Sequence, residues 1–179
     1  SNIDPIPVVY GRRKVGGVRA FISTGGGTKN EYLYIALVLS EGQIDGVEQI
    51  YINDTLSTDS KYSGLVQTQV FLGSDDQTYS TLLSGADATW GANHRLRGVA
   101  YLAIRLKYDQ DAFGNIPDIQ CVIRGKRVYD PRKDSTSDVY DSGLGVSTHR
   151  FDDPSTWQWS NNPALCLRDY LTNARYGKG

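Results

Sequence analysis

Two apolar runs constrain this sequence more than any other feature. Residues 32–39 read Tyr-Leu-Tyr-Ile-Ala-Leu-Val-Leu, and residues 99–106 read Val-Ala-Tyr-Leu-Ala-Ile-Arg-Leu. A segment that is apolar on both sides has to be buried on both sides, and runs this short favour strands over helices. The sequence therefore predicts two buried β-strands, of which the second is central.

Shorter segments with strand character surround these two runs. Residues 124–127, Arg-Gly-Lys-Arg, are predicted to be a hairpin turn between two of them. The composition, with 19 glycines and 12 tyrosines, is typical of a β-rich protein with many turns. We therefore predict a mainly β fold with some helix, of the α+β class. The further strand-like segments are residues 18–23, 47–53, 67–72, 119–123 and 128–129.

The C-terminal part of the sequence carries a strong helix signal. Asn162 can cap a helix with its side-chain oxygen, and Pro163 suits the first helical position, where a missing N–H costs nothing. Arg175 is expected in the last turn and Gly177 at a left-handed stop. The pattern predicts one helix over residues 163–175. We expect it to pack on the β-domain through an apolar stripe formed by Ala164, Leu167, Tyr170, Leu171 and Ala174.

The charges are balanced, with 19 basic and 20 acidic residues among 179. This balance argues against specific nucleic-acid binding and against binding to membrane surfaces. No segment reads as a signal peptide or reaches the ~18 apolar residues of a membrane span. We expect a soluble protein made in a reducing cytoplasm. Methionine is absent and Ser1-Asn2 has the form of a cleavage scar, so we expect a piece of a longer polypeptide.

Few residues could hold a metal or a cofactor, and we predict neither. Cys121 and Cys166 are predicted to be buried free thiols, with a single disulfide as the alternative. Two cysteines and two distant histidines make no metal framework, and residues 109–114 lack the third ligand and the final glutamate of a calcium loop. Residues 25–27, Gly-Gly-Gly, precede another apolar run, which favours a hairpin loop over a phosphate-binding loop.

No arrangement of catalytic residues stands out, and the chain is predicted not to be an enzyme. His94 and His149 are far apart in the sequence, and no Gly-x-Ser-x-Gly elbow presents a serine. A glycosidase-type pair of carboxylates stays open, but no pair stands in an apolar setting that would raise one pKa. A carbohydrate- or receptor-binding module is the alternative, with Trp90, Trp157 and Trp159 as stacking surfaces. Trp90 otherwise serves as an anchor for its loop.

Charge is segregated in the second half of the chain. Residues 95–133 contain nine basic and four acidic residues, whereas residues 134–154 contain five aspartates and Arg150. The acidic segment reads as a long exposed loop that a partner could order. If the chain assembles with itself, the two bands could meet across a subunit boundary. The candidate interface residues are Arg124, Lys126, Arg127, Asp138 and Asp141.

Three segments, in order, resemble the tail-tip attachment protein J family of long-tailed phages and prophages. The first reads Ser-Glu-Gly-Gln-Ile-Asp-Gly at residues 40–46. The second reads His-Arg-Leu-Arg-Gly at 94–98 and continues to Arg-Gly-Lys-Arg-Val-Tyr-Asp-Pro-Arg at 124–132. The third reads Trp-Ser-Asn-Asn-Pro at 159–163 and ends in Arg-Tyr-Gly at 175–177. With their surroundings they cover more than half of the chain.

The resemblance implies a fragment from the N-terminal hub region of such a protein. Residues 1–179 would then form mainly one antiparallel β-barrel or sandwich-like hub domain with one C-terminal helix. The resemblance also implies a homotrimeric baseplate hub that closes the distal end of the tail tube and supports host attachment. Its partners would be other tail-tip and tail-tube proteins, and its location the virion tail tip after assembly in the bacterial host cytoplasm. Residues 55–93 do not match the family pattern, so an inserted subdomain there is an open alternative.

Overall fold

A computed structural model of the chain describes residues 5–27 and 30–177. Ser1 and Asn2, which were interpreted as a cleavage scar, lie outside the described residues. The helices are α1 (Gln110–Phe113) and α2 (Pro163–Thr172). The strands are β1 (Arg12–Val15), β2 (Val18–Gly25), β3 (Tyr32–Glu41), β4 (Ile44–Ile52), β5 (Thr55–Leu56), β6 (Val66–Phe71), β7 (Val99–Lys107), β8 (Ile119–Val128) and β9 (Gln158–Trp159).

The strands form two antiparallel sheets that face each other. The first has the order β1-β8-β4-β5, with β9 paired to the end of β8, and the second has the order β2-β3-β7-β6. The outer strands β1 and β2 are consecutive in the chain, and so are β5 and β6, so the chain passes between the sheets at both edges. The predicted mainly β fold, antiparallel and with one C-terminal helix, is confirmed.

The two apolar runs are β3 and β7, the central strands of the second sheet. One face of this pair, with Ile35 and Leu102, packs into the core between the two sheets. The opposite face, with Tyr101, packs against Trp90 and other apolar residues of the 72–98 loop. Because both faces are covered, both runs have to be apolar. Trp90 is buried, as the anchor of a loop requires.

Strand β8 corrects the turn predicted at residues 124–127. These residues continue the strand, and at Arg124 it pairs with β4 on one side and with β1 on the other. Further on, the backbone N–H of Lys126 donates to the carbonyl of Val9. From the sequence alone, a glycine flanked by basic residues suggests a turn. Here pairing on both sides satisfies the backbone groups and outweighs that local preference.

Helix α2 begins as predicted but ends earlier. The side chain of Asn162 accepts a hydrogen bond from the N–H of Ala164 at 3.0 Å, and Pro163 occupies the first turn. The helix ends at Thr172 rather than at residue 175. Gly177 provides no left-handed stop, because the four residues before it fold back and its N–H donates to the Asn173 carbonyl.

The predicted packing face of α2 is wrong. Leu167, Tyr170 and Leu171 of the apolar stripe are 57%, 44% and 43% exposed, whereas Asp169 is only 6% exposed. The helix therefore packs through a polar side chain, and its apolar stripe faces outward.

Residues 55–93, which the family pattern does not cover, contribute one outer strand to each sheet. Strand β5 pairs with β4, and β6 pairs with β7. The chain then runs over the outer face of the second sheet, with a 3₁₀ turn at Leu83–Gly85. An inserted subdomain in this region stays a prediction, and so does the description of residues 1–179 as mainly one domain.

Gly125 lies where the N-terminal segment crosses close to β8. A Cβ atom at this position would lie 2.1 Å from the carbonyl oxygen of Val9, a backbone atom that cannot rotate away. We expect Gly125→Ala to lower the free energy of unfolding by about 1–3 kcal/mol, as at other overpacked sites, in urea denaturation. Gly91→Ala is the matched control, because a Cβ there meets no atom within 4 Å. Equal losses in the two variants would contradict the close approach.

Candidate functional site

Two of the candidate cations on β8 share one carboxylate of the same chain. The Nε of Arg124 lies 2.7 Å from one oxygen of Asp45, and the Nε of Arg127 lies 3.1 Å from the other. Both arginine side chains are more than one-third exposed. Ion pairs exposed to this degree contribute only about 0–1 kcal/mol each. Asp45 itself is only 19% exposed, so the two arginines stay paired with it, and a further acidic partner would approach the exposed parts of their side chains.

The third candidate cation, Lys126, belongs to a buried cluster. Its Nζ donates to Asp169 at 3.0 Å, and the two side chains are 14% and 6% exposed. Tyr10 also donates to Asp169, at 2.5 Å, and Tyr176 bonds both Asp169 and Lys126. Burial and then the hydrogen bond to Asp169 raise the pKa of Tyr10 well above its usual range. We call Tyr10, Lys126, Asp169 and Tyr176 the Lys126 cluster.

The Lys126 cluster sets the rotation of α2. It links the N-terminal segment, β8, α2 and the residues after the helix. On the neighbouring face of α2, the guanidinium of Arg168 lies 4.9 Å from the ring centre of Tyr129 and 5.5 Å from that of Phe151. Helix α2 thus contacts the rest of the fold through two polar side chains, Asp169 and Arg168. Its apolar stripe is therefore turned away from the sheets. Sequence reasoning missed Asp169 because a single acid in an amphipathic helix reads as a solvent-facing residue.

The acidic segment after β8 is folded on itself by its own aspartates. Asp134 is buried and accepts hydrogen bonds from Thr136 Oγ1 at 2.7 Å and from Tyr129 Oη at 2.8 Å. It also pairs with Arg150 at 3.2 Å. These donors, Thr136 foremost, hold the pKa of Asp134 at about 2. The segment is thus exposed over most of its length, as predicted, but its own hydrogen bonds order it into a lobe within the chain.

Asp138 and Asp141, the acidic candidates, are exposed on this lobe. Asp141 caps a short turn by accepting from the N–H of Gly143 at 2.9 Å. Within residues 5–27 and 30–177, no ion pair joins Asp138 or Asp141 to a cation of β8. The structure therefore does not bring the basic and acidic candidates together within one chain.

His149 is a buried support of the same lobe. It is 1% exposed, and its Nδ1 accepts the backbone N–H of Asp130 at 3.1 Å. The backbone N–H of His149 donates to the Lys133 carbonyl at 3.2 Å. Burial, and then the charge of Lys133, lower the pKa of His149. A neutral imidazole is therefore the form that holds the lobe together.

The three tryptophans pack against their own chain. Trp90 lies 5.0 Å from the ring of Phe21, in the cover over the second sheet. Trp157 donates its Nε1–H to the carbonyl of Arg150 at 2.8 Å, and Trp159 lies beside Arg124. Both are half-buried, so none of the three presents a fully open stacking face.

The other candidate ligands and nucleophiles are dispersed. His94 stacks on Trp90, in a part of the fold that His149 does not share. Cys121 and Cys166 are free thiols, as predicted, although Cys166 is only half-buried. Burial raises the pKa of Cys121 to about 12. Among the described residues, no three His, Cys, Asp or Glu side chains are grouped to hold a metal ion.

Neither helix in the part of the chain that the structure describes has the length and apolarity that crossing a membrane requires.

Comparison with known proteins points to phage tails. No family model matches the sequence. The chain is 24% identical, over an alignment 230 positions long with its gaps, to the baseplate hub protein pb3 of Escherichia phage T5, and the match covers 96% of this chain and 22% of that protein. Its fold is similar to that of a chain in the virion of a native gene transfer agent particle, with a TM-score of 0.53 and 20% identity. That similarity covers 97% of this chain and 36% of the other. The chain thus spans about a fifth of the phage T5 protein.

The lowered pKa of His149 predicts a loss of stability in mild acid. The folded state keeps the imidazole neutral below its usual pKa of 6.5. Its contribution is therefore complete above that value and falls as the pH drops through the folded pKa. We expect the denaturation midpoint to decrease between pH 7.5 and pH 5, and His149→Gln to flatten this decrease. His94→Gln is the control and should keep the wild-type dependence. If His94→Gln flattened the pH dependence and His149→Gln did not, His149 would not be the cause of the acid destabilisation.

Proposed function

We propose that this chain is a structural component of a phage tail or a phage-like particle, in which it forms part of the baseplate hub. The observation that carries the proposal is the match of nearly the whole chain to a baseplate hub protein. The fold similarity to a chain of a gene transfer agent virion supports the same reading. Because the chain spans only part of these proteins, the role of the remaining parts lies outside the proposal.

We assign the chain more finely to the N-terminal hub region of a tail-tip attachment protein of the J type. Ion pairs join the three segments that resemble that family. Glu41 of the first segment pairs with Arg175 of the third at 2.8 Å, and Asp45 of the first pairs with Arg124 of the second. The Lys126 cluster joins the second segment to the third. Segments distant in sequence thus form one contiguous unit, which supports a resemblance between whole domains.

In this proposal the chain is not an enzyme. Among the described residues, the buried Asp134 and the Nδ1 of His149 support the acidic lobe, and the buried Asp169 holds α2. A carbohydrate-binding role gains no support from the tryptophans, because each packs against its own chain.

The assembly we propose is a homotrimer that closes the distal end of the tail tube at the virion tail tip. It would bind other tail-tip and tail-tube proteins after assembly in the host cytoplasm, without a membrane or specific nucleic-acid partner. Subunits would meet where Arg124 and Arg127 approach the partner subunit's Asp138 and the partner subunit's Asp141. Lys126 takes no part in this contact, because the Lys126 cluster already occupies it.

Charge reversal tests the proposed contact. We expect Arg124→Glu with Arg127→Glu to weaken self-association by at least about tenfold, because like charges would face each other. Light scattering behind a sizing column measures the change. Arg19→Glu with Arg95→Glu is the matched control, since these exposed residues, on β2 and in the 72–98 loop, make the same change in net charge on elements other than β8 and its neighbouring strands. Reversing Asp138 and Asp141 to arginine should restore assembly. If the mass distribution of the Arg124→Glu, Arg127→Glu variant equals that of the wild type, the proposed charge pairing between subunits is wrong.

The location is tested on purified particles. Gold-labelled antibody against this chain should bind the distal end of the tail in electron micrographs, and mass spectrometry should find it in the particle. Labelling elsewhere on the particle would contradict the hub role, and absence from the particle would contradict the function itself.

A further inference from the structure

Three of the four outer strands carry protection against pairing with another chain. Strand β1 carries three cations, and β5 is two residues long. Strand β2 has a bulge between Arg19 and Phe21, and its far end is covered, since the Thr24 carbonyl accepts from the N–H of Asp87 at 2.8 Å. Charge, shortness, bulges and cover are the means by which edge strands avoid association.

The outward backbone edge of strand β6 carries none of these protections, although the side chain of Gln69 is held by Ser80, Thr81 and Leu82 of the neighbouring loop. Its sequence, Val-Gln-Thr-Gln-Val-Phe, contains no charge and no proline. Its register with β7 runs without a bulge from Val66↔Leu106 to Phe71↔Tyr101. The second sheet therefore has one protected edge, β2, and one unprotected edge, β6.

The backbone groups that β6 presents outward can be identified. The Leu65 carbonyl accepts from Lys107 of the β7 side, whereas the Leu72 carbonyl accepts from Ile44 on the opposite side. Because direction alternates along a strand, the N–H and C=O groups of Val66, Thr68 and Val70 point away from β7. Among residues 5–27 and 30–177, no hydrogen bond reaches these outward groups.

A groove lined by both polar and apolar side chains runs beside this edge. Its volume is about 350 Å³, and it lies between β6 and the β4–β5 corner of the first sheet. Leu56 on one wall is 39% exposed and Val70 on the other is 41% exposed. A further strand paired to β6 would cover both side chains, so the edge offers apolar burial as well as hydrogen bonds.

The sequence of this edge is palindromic, so two copies of it can pair with each other in an antiparallel arrangement. Residues 66–70 read Val-Gln-Thr-Gln-Val in both directions, with Thr68 at the centre. In an antiparallel pair of two such strands, Val66 lies opposite the partner's Val70 and Thr68 opposite the partner's Thr68. Valine and threonine pairs are favourable cross-strand neighbours, and no charge is opposed.

We propose that β6 pairs with β6 of a second copy of this chain, antiparallel and about a two-fold axis at Thr68. The second sheets of the two copies then form one continuous sheet of eight strands, twice the four of one copy. A head-to-tail alternative, β6 against β2 of the next copy, would meet the bulge and the Asp87 cover of that strand. Because this contact is two-fold and a three-fold ring joins unlike surfaces, the pairing cannot lie within the trimer proposed above and concerns copies of the chain outside such a ring.

A cysteine at the axis tests the geometry. Opposed residues of a hydrogen-bonded antiparallel pair have Cα atoms about 5.5 Å apart, within disulfide range. In a Cys166→Ser background, Thr68→Cys should form a disulfide-linked dimer on mild oxidation. Gln67→Cys is the matched control, because residue 67 lies opposite the partner's Gln69 rather than itself. Equal crosslinking of the two variants, or none with Thr68→Cys, would overturn the pairing.

Removing the backbone N–H of Thr68 tests how much the proposed hydrogen bonds contribute to dimer stability. Thr68→Pro deletes one outward N–H in each copy and leaves the β7 ladder intact, because prolines fit edge strands at outward positions. Dimer dissociation constants from sedimentation should rise about thirtyfold for the two lost hydrogen bonds. Thr68→Lys is the second variant, with a similar loss expected, and Ile22→Lys on the protected edge should leave the constant unchanged. A strictly monomeric wild type at high concentration would overturn the proposal. None of these outcomes bears on where the chain lies in the particle.

Discussion

Burial of β3 and β7 on both faces is the constraint on which the rest of the structure depends. Two central strands that are apolar on each side need a cover on each side, and the chain supplies two different ones. The first sheet covers one face, and the 72–98 loop, anchored by Trp90, covers the other. The loop is therefore a structural layer, which explains why a segment without regular strands packs so closely against Tyr101.

The Lys126 cluster determines how α2 is rotated about its axis. Turning the stripe inward would move Asp169 away and leave the mostly buried Lys126 without its counter-ion, at a cost of about 3–5 kcal/mol. Burying one leucine fully is worth about 1.5–3 kcal/mol, and Leu167 and Leu171 already keep part of that burial in place. The ionic arrangement therefore outweighs the apolar stripe. The same reasoning explains why Arg168 stacks on Tyr129 while its apolar neighbours face outward.

Much of this fold could be predicted from the sequence because its central strands and helix cap are local signals. Residues 32–39 and 99–106 identify themselves by apolarity alone, and Asn162-Pro163 marks a helix start without tertiary help. The turn predicted at 124–127 failed because partners distant in sequence supply its backbone bonds. The outward stripe of α2 was missed for a related reason: the partner of Asp169 is 43 residues away in the chain. The candidate cations were found, but their Asp45 and Asp169 partners depend on pairings that sequence spacing does not encode.

The Lys126 cluster also determines where mechanical load would travel. The hydroxyl groups of Tyr10 and Tyr176 lie 3.4 Å apart, although 166 positions separate them along the chain. Tension applied through these two points would be opposed by a few hydrogen bonds and by the ion pair to Lys126 on β8, and the second sheet would lie outside its path. The domain could therefore be pulled, turned or displaced by neighbouring polypeptide while its strands stay in register.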